Sequence, residues 1–178
     1  MALINENLVF LDETGIWLNM HRSCGRSKKG KRCDSRGSKF KRKSITLIGA
    51  MAMTGMIASL TFVGGTSLPC FLYFVTAILG PALWAGAVVV MDNLNVHLNQ
   101  AAKAAIEAVG AKVLFLPRYC PDLKAIEMLW SKLKSFIKKI QPSTTAELDQ
   151  AVSTFVNSLV SEDVLGYFLE TSVRTSSI

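Results

Sequence analysis

The 178-residue sequence has no charged side chain between Ser44 and Met91. A run of this length brings a membrane protein into consideration, because about 20 consecutive apolar residues span a bilayer. Gly80-Pro81 interrupts its most apolar part, where proline removes a backbone donor and blocks a continuing helix. Thr54-Gly55 marks a turn between two runs of strand length. We therefore favour buried strands and a short helix, and keep a small membrane protein as a distant third alternative.

Paired cysteines and acidic side chains are also scarce. The four cysteines form no C-x-x-C pair, and the N-terminus lacks the charged, apolar and small-residue order of a signal peptide. This predicts a reducing, cytoplasmic setting without a disulfide framework. Only 13 Asp and Glu oppose 20 Lys and Arg, which gives a net charge of +7. The excess indicates a polyanionic partner, nucleic acid before a membrane surface.

Hydrophobic periodicity predicts an α/β fold with a mixed sheet flanked by helices. The expected strands are Leu8–Leu11, Ile16–Met20, Ile45–Met53, Ile57–Val63, Ala87–Met91 and Lys112–Leu116. The expected helices are Leu68–Leu79, Leu98–Val109, a helix from about Leu123 to Ile140, and two shorter ones within 144–170. Gly110 stands where a helix C-terminus favours glycine.

Three acids follow the ends of predicted elements. Asp12 and Asp92 come just after apolar strands, where open α/β sheets place their sites, and Glu127 lies in the first turns of a helix. Carboxylates gathered at one sheet edge repel one another unless a cation is present, and Mg²⁺ prefers such hard oxygen ligands. Taken singly, each acid fits a turn, an Asx turn or a solvated helix residue. The combination favours a metal site.

Three motif blocks carry these acids, namely "FLDETGIWLNM…CGRSKKGKR", "VVMDNLNVH" and "LFLPRYCPDLKAIEMLW". In this order they resemble the DDE superfamily endonucleases, in particular the mariner-like transposases of bacterial insertion sequences. The resemblance covers about residues 8–140. Between Asp92 and Glu127 lie 34 residues, the spacing of that group.

The resemblance implies a ribonuclease-H-like catalytic domain over 1–140, with a basic loop at 21–43 and a C-terminal helical extension, 141–178, packed on the same domain. It implies Asp12, Asp92 and Glu127 as the catalytic, metal-binding triad for two Mg²⁺ or Mn²⁺ ions. The implied reaction cleaves transposon ends and joins the 3′-OH to target DNA. The implied partners are double-stranded DNA and a second copy of the chain, in a nucleoid-associated cytoplasmic setting.

Two polar residues beside Asp92 are candidates for orienting its carboxylate or binding phosphate, namely Asn93 and His97. For His97 a helix cap or a surface position is the simpler interpretation. The third motif block also departs from the family pattern, which commonly has Asn-Pro at Lys124-Ala125 and Pro at Arg118. Lys124 could pair with Glu127 or hold a DNA phosphate. Asp122 is a rival third acid that suits a helix N-cap better.

The segment between Arg22 and Lys43 holds about half of the positive charge and one acid, Asp34. Such density indicates a clamp on the DNA backbone. The candidate DNA-binding residues are Arg22, Arg26, Lys28, Lys29, Lys31, Arg32, Lys41, Arg42, Lys43 and Lys124. A further basic surface is expected on the helix that bears Glu127.

Family members recognise their DNA ends through an N-terminal helix-turn-helix region, and here Asp12 arrives almost at once. We therefore expect the catalytic domain alone, with recognition supplied by a separate or frameshift-joined N-terminal segment. The alternative is a catalytically inactive transposase remnant or a non-specific DNA-binding module.

Overall fold

The computed structural model describes residues 6–20, 28–30, 44–117 and 125–175. Its sheet has five strands in the order β3-β2-β1-β4-β5. Pairing is antiparallel among the first three of these and parallel from β1 to β4 and from β4 to β5. The strands are β1 (Leu8–Trp17), β2 (Ser44–Ala52), β3 (Gly55–Val63), β4 (Val88–Met91) and β5 (Lys112–Phe115). The predicted mixed sheet is therefore confirmed.

The helices flank this sheet. They are α1 (Leu68–Tyr73), which continues into a π-helical segment (Phe74–Leu79) and a 3₁₀ turn (Gly80–Ala82), then α2 (Gln100–Ala108), α3 (Ala125–Ile140), α4 (Thr145–Asn157) and α5 (Ser161–Thr175). The apolar helix predicted to end before Gly80-Pro81 is thus present, with a π-helical second half. Gly110, at φ +83°, follows α2 as predicted.

The uncharged run forms the middle of the molecule. Residues of β2 from Ile45 to Ala52 are buried without interruption, because helices cover both faces of the sheet. The predicted turn at Thr54-Gly55 joins β2 to β3, and Gly55 has a φ of +116° that favours glycine. Within the described ranges, no helix is long and apolar enough to cross a membrane.

Strand β1 differs from its prediction. The sequence divides it into two short strands separated by "DETG", with Asp12 just past the first, but β1 runs unbroken for 10 residues. Asp12 pairs with Gly49 of β2, and Thr14 pairs with Leu47. The antiparallel partner supplies backbone hydrogen bonds along the whole segment, so tertiary pairing overrides the local turn signal. Asp12 therefore lies inside a strand.

Two hydrophobic layers sandwich the sheet. On one face α3, α4 and α5 pack against β1 and β2 around Trp130, Phe155 and Phe168. On the other face α1, the π-helical segment and α2 pack around Phe71 and Ile106. Alternate residues of β1 enter alternate layers, Phe10 the first and Leu11 the second. This alternation decides which site residues can meet.

Candidate active site

The parallel pairing of β1 with β4 brings two of the predicted acids together. Phe10 pairs with Val90, and β4 ends at Met91. Asp12 and Asp92 each lie two residues beyond this pair, at the point where the paired strands run about 5 Å apart. Asp92 is the first residue after β4, as predicted, whereas Asp12 lies within β1.

Helix α3 contributes a direct contact to Asp12. The Asp12 carboxylate is buried, with 5% of the residue exposed, and the indole Nε1–H of Trp130 donates to its Oδ2 at 3.2 Å. A buried carboxylate needs such donors, because its removal from water is otherwise costly. The contact fixes the start of α3 over the middle of β1.

Glu127 comes from the same end of α3. It lies in the first turn, three residues before Trp130, and its side chain is exposed. Residues three apart are neighbours on a helix surface, with Cβ atoms about 5–6 Å apart. Nevertheless, in the part of the chain that the structure describes, no three His, Cys, Asp or Glu side chains are grouped closely enough to hold a metal ion. The three acids share one region without forming a closed cluster.

The carboxylate of Asp92 is held by its own loop. Its Oδ1 contacts Nδ1 of His97 at 2.6 Å and accepts a hydrogen bond from the backbone N–H of Leu94 at 3.2 Å. The second of these bonds closes an Asx turn, one of the alternative interpretations of this acid. Asp92 is thus both a turn residue and the partner of a histidine.

His97 is fully buried and lies between two acids. Its Nε2 is 3.0 Å from Oε1 of Glu13, and its ring packs against Phe71 with centroids 4.8 Å apart. A cap or surface position for His97 is therefore wrong, and Asn99 is the N-cap of α2. Burial alone lowers the pKa of His97, but the hydrogen bonds and negative charges of Asp92 and Glu13 raise it to about 9.

Glu13 is a site residue that the sequence interpretation missed. It follows Asp12 directly, so strand alternation turns it to the opposite face of the sheet, where α1 and α2 pack. The signal that could have found it is the pair of adjacent acids in an otherwise apolar strand. Asp12 and Asp92 have different partners, because Asp12 contacts Trp130 of α3 while the loop after β4 holds Asp92 against His97.

The second candidate next to Asp92 has a different role. The Asn93 side chain donates through Nδ2 to the backbone carbonyl of Leu116 at 2.7 Å. This bond ties the segment after β4 to the end of β5. Asn93 therefore stabilises the backbone that carries Asp92, and its described contact is not with a carboxylate.

Most of the candidate DNA-binding residues fall outside the described ranges. Lys28 and Lys29 are described and exposed. On α3, Lys132 forms an ion pair with Asp163 at 2.7 Å and lies over the ring of Tyr167. The residues outside the described ranges are Arg22, Arg26, Lys31, Arg32, Lys41, Arg42, Lys43 and Lys124, together with Arg118 and Asp122.

The side chains around Asp12 suit a hard divalent cation in their chemistry. Carboxylate oxygens are the preferred protein ligands of Mg²⁺ and Mn²⁺. Asp12 and Asp92 each follow the Phe10–Val90 pair by two residues, and exposed Glu127 lies one helical turn from the residue that contacts Asp12. The residues present therefore fit a carboxylate-bound metal in their chemistry.

The fold is similar to that of solved Mos1 transposase structures, which confirms the predicted ribonuclease-H-like fold. The "Mos1 transposase paired-end complex with left transposon end" gives a TM-score of 0.80 at 17% identity, covering 96% of this chain and 54% of that one. The "Mos1 mariner paired end complex with Mn" gives 0.81 at 17% identity, covering 96% and 54%. The "Mos1 transposase catalytic domain and Raltegravir with Mg" gives 0.74 at 15% identity, covering 96% and 81%.

This chain thus spans about half the length of the Mos1 chains in the paired-end complexes. No curated protein matches the chain in sequence. A family model described as DDE superfamily endonuclease matches residues 7–149, which include β1, β4 and the part of α3 that bears Glu127. Because that match covers most of the sequence, the chain belongs to the DDE superfamily endonucleases.

Proposed function

We propose that this chain is the metal-dependent catalytic domain of a DNA transposase. It cleaves phosphodiester bonds at transposon ends and joins the 3′-OH to target DNA. The observation that carries the proposal is that Asp12 and Asp92 each lie two residues beyond the Phe10–Val90 pair of β1 and β4, and that Asp12 contacts the helix that bears Glu127. Family membership and the fold of the Mos1 catalytic domain support it.

Asp12, Asp92 and Glu127 would hold two Mg²⁺ or Mn²⁺ ions. Bound ions of this kind activate the attacking oxygen and stabilise the leaving one in phosphoryl transfer. The chain's own residues orient the ligands, since Trp130 donates to Asp12 and His97 contacts Asp92. The Mos1 structures with Mg or Mn support divalent metal use.

Glu127 would complete the triad from an exposed position on the helix surface. Its exposed side chain can change rotamer on the nanosecond timescale without disrupting a packed core. Asp12, by contrast, is fixed by a strand and by an indole. The proposed site therefore has a rigid half on the sheet and an adjustable half on α3.

DNA is the proposed partner of the basic segment 21–43, with Lys28 and Lys29 as its described members. Phosphate contacts by Lys and Arg position a protein on DNA without reading its sequence. Sequence recognition is assigned to a separate or frameshift-joined N-terminal helix-turn-helix segment. A homodimer on DNA would present two catalytic sites to two transposon ends.

Metal-dependent stability tests the site without a specific DNA substrate. Mn²⁺ at one hundred times its dissociation constant should raise the free energy of unfolding by about 2.7 kcal/mol if only the folded state binds it. Asp92→Asn should abolish both this rise and metal-dependent nicking of supercoiled plasmid. Glu107→Gln is the control, because Glu107 is an exposed acid on α2 that pairs with Lys103.

Two results would contradict the proposal. A metal response that survives in Asp92→Asn assigns this acid to the Asx turn alone. DNA binding without metal-dependent nicking in the wild-type chain indicates the inactive remnant. Both results can be read from the same purified proteins, because urea unfolding and plasmid nicking are measured separately.

A further inference from the structure

Glu13, His97 and Asp92 form a continuous chain of side-chain contacts, here named the acid–histidine brace. Glu13 Oε1 lies 3.0 Å from Nε2 of His97, and Nδ1 of His97 lies 2.6 Å from Oδ1 of Asp92. Their side chains are 11%, 0% and 32% exposed in that order. The histidine in the middle of the brace is therefore fully buried, and Asp92 is its most exposed member.

Glu13 and His97 of the brace are both held in place by the surrounding structure. Glu13 lies within β1 and pairs with Ile48 of β2, so its backbone is fixed by a strand on that side. His97 is held by its ring contact with Phe71 and by its backbone N–H, which donates to the Leu94 carbonyl at 2.9 Å. A ring fixed at both nitrogens and on one face has a single orientation.

A contribution to folding stability does not explain why the brace is present. Oε2 of Glu13 is buried and has no hydrogen-bond partner among the described residues. A buried carboxylate with one oxygen unsatisfied loses hydration that its remaining bond only partly offsets. Apolar side chains in the same layer would bury the strand at lower cost.

We propose that Glu13 is a positioning residue which, through His97, fixes the carboxylate of Asp92 for metal binding. This inference rests on the proposed function. Oδ1 of Asp92 contacts Nδ1 of His97 and accepts from the backbone N–H of Leu94, so these contacts hold the Asp92 carboxylate in one rotamer before a metal ion binds.

The test is Mn²⁺ affinity of the full chain, measured by titration calorimetry on the wild type and on Glu13→Ala and Glu13→Gln. Removing a residue that orients a metal ligand weakens metal binding by about 10–100-fold, and we expect this of Glu13→Ala. Glu13→Gln should restore most of the affinity, because its amide oxygen still accepts from Nε2 of His97. Thr46→Ala is the control, since it removes a buried hydroxyl in β2 that bonds the Gly64 carbonyl.

A double-mutant cycle distinguishes positioning from direct coordination. If Glu13 acts through His97, then Glu13→Ala should weaken Mn²⁺ binding no further in a His97→Ala background. An undiminished additional loss in that background would overturn the proposal, because Glu13 would then act independently of His97. A folded Glu13→Gln that binds Mn²⁺ as poorly as Asp92→Asn would also overturn it, and this holds even if Glu13→Ala does not fold.

The outcomes separate this inference from the proposed function. A wild-type chain that binds no Mn²⁺ contradicts the proposed function itself. A wild-type chain that binds Mn²⁺ and loses it in Asp92→Asn, but not in Glu13→Ala, contradicts only the role of Glu13. Loss in both variants with rescue by Glu13→Gln supports the brace.

Discussion

Gly49 lies directly beneath the indole of Trp130, where a Cβ on the glycine would come within 2.7 Å of Cη2 of the ring. Gly49 is also the β2 partner of Asp12, the residue that Trp130 contacts. The glycine therefore provides the space in which the indole crosses the strand and reaches the carboxylate. One small residue on β2 thus sets the geometry of an acid on β1.

Gly49→Ala should destabilise the protein by about 1–3 kcal/mol, the usual cost of overpacking a core. The flexible end of Met56 can move, but Trp130 is buried and cannot rotate away. Urea denaturation measures the change. Gly15→Ala is the matched control, because a Cβ on this β1 glycine meets nothing within 4 Å. Equal stabilities of the two variants would show that the indole does not depend on Gly49.

Trp130→Phe should cost on the order of 2–4 kcal/mol. Phenylalanine leaves a cavity and removes the donor to the buried Asp12 carboxylate. Chemical denaturation monitored by far-UV circular dichroism measures the loss. Trp84→Phe is the comparison, because its Nε1–H donates to Asn7 at 3.1 Å in an exposed position and should matter much less. Similar losses in both variants would argue against a special role for the Asp12 contact.

The sequence predicts those parts of the fold that depend on local patterns. The β2–β3 hairpin, the strand before Asp92 and the glycine after α2 all follow from periodicity and turn residues. The continuity of β1 does not, because the β2 residues that pair with it lie 27 positions (Trp17 with Ser44) to 41 positions (Phe10 with Met51) away in the sequence. Local signals at "DETG" favour a turn, and only the pairing overrides them.

For the candidate site, too, the sequence predicts some features and not others. Motif order and spacing nominate Asp12, Asp92 and Glu127 as candidate ligands, whereas they do not predict the contact of Glu13 with His97. Glu13 and His97 meet because strand alternation and the loop after β4 bring them to one side of the sheet. No periodicity in the sequence encodes that contact, since it joins residues 84 positions apart.

DNA affinity should depend on salt through the basic segment. If about five of its cations contact phosphates, log K should fall with log salt at a slope of about −4 to −5. If all four are among those five, neutralising Lys28, Lys29, Lys31 and Arg32 together should reduce the magnitude of that slope by about 3.6, measured by fluorescence anisotropy at several salt concentrations. The double substitution Lys103→Gln and Lys112→Gln removes charge from α2 and β5 as a control. An unchanged slope in the fourfold variant would exclude the segment from the interface.

Stability of the metal-free protein should fall as pH rises from about 6.5 to 9. The pKa of His97 is raised to about 9 in the folded state from 6.5, because the contacts with Asp92 and Glu13 outweigh burial. A group whose pKa is raised in the folded state stabilises the fold fully when the pH is below its pKa in the unfolded state. This stabilisation is lost as the pH rises through its pKa in the folded state. The shift corresponds to a loss on the order of 3 kcal/mol across this window.

His97→Gln isolates this contribution, because glutamine has no charge to lose and every other titrating group is retained. Urea unfolding at pH 6, 7.5 and 9.5 should show that the difference in free energy of unfolding between the wild type and His97→Gln decreases as the pH rises. The reason is that Asp92 and Glu13 lose their charged partner in the alkaline range. Lys132, whose pKa is raised by its hydrogen bond with Asp163, titrates alike in both proteins and cancels in the difference. Parallel stability profiles over the whole range would mean that His97 stays neutral between the two carboxylates.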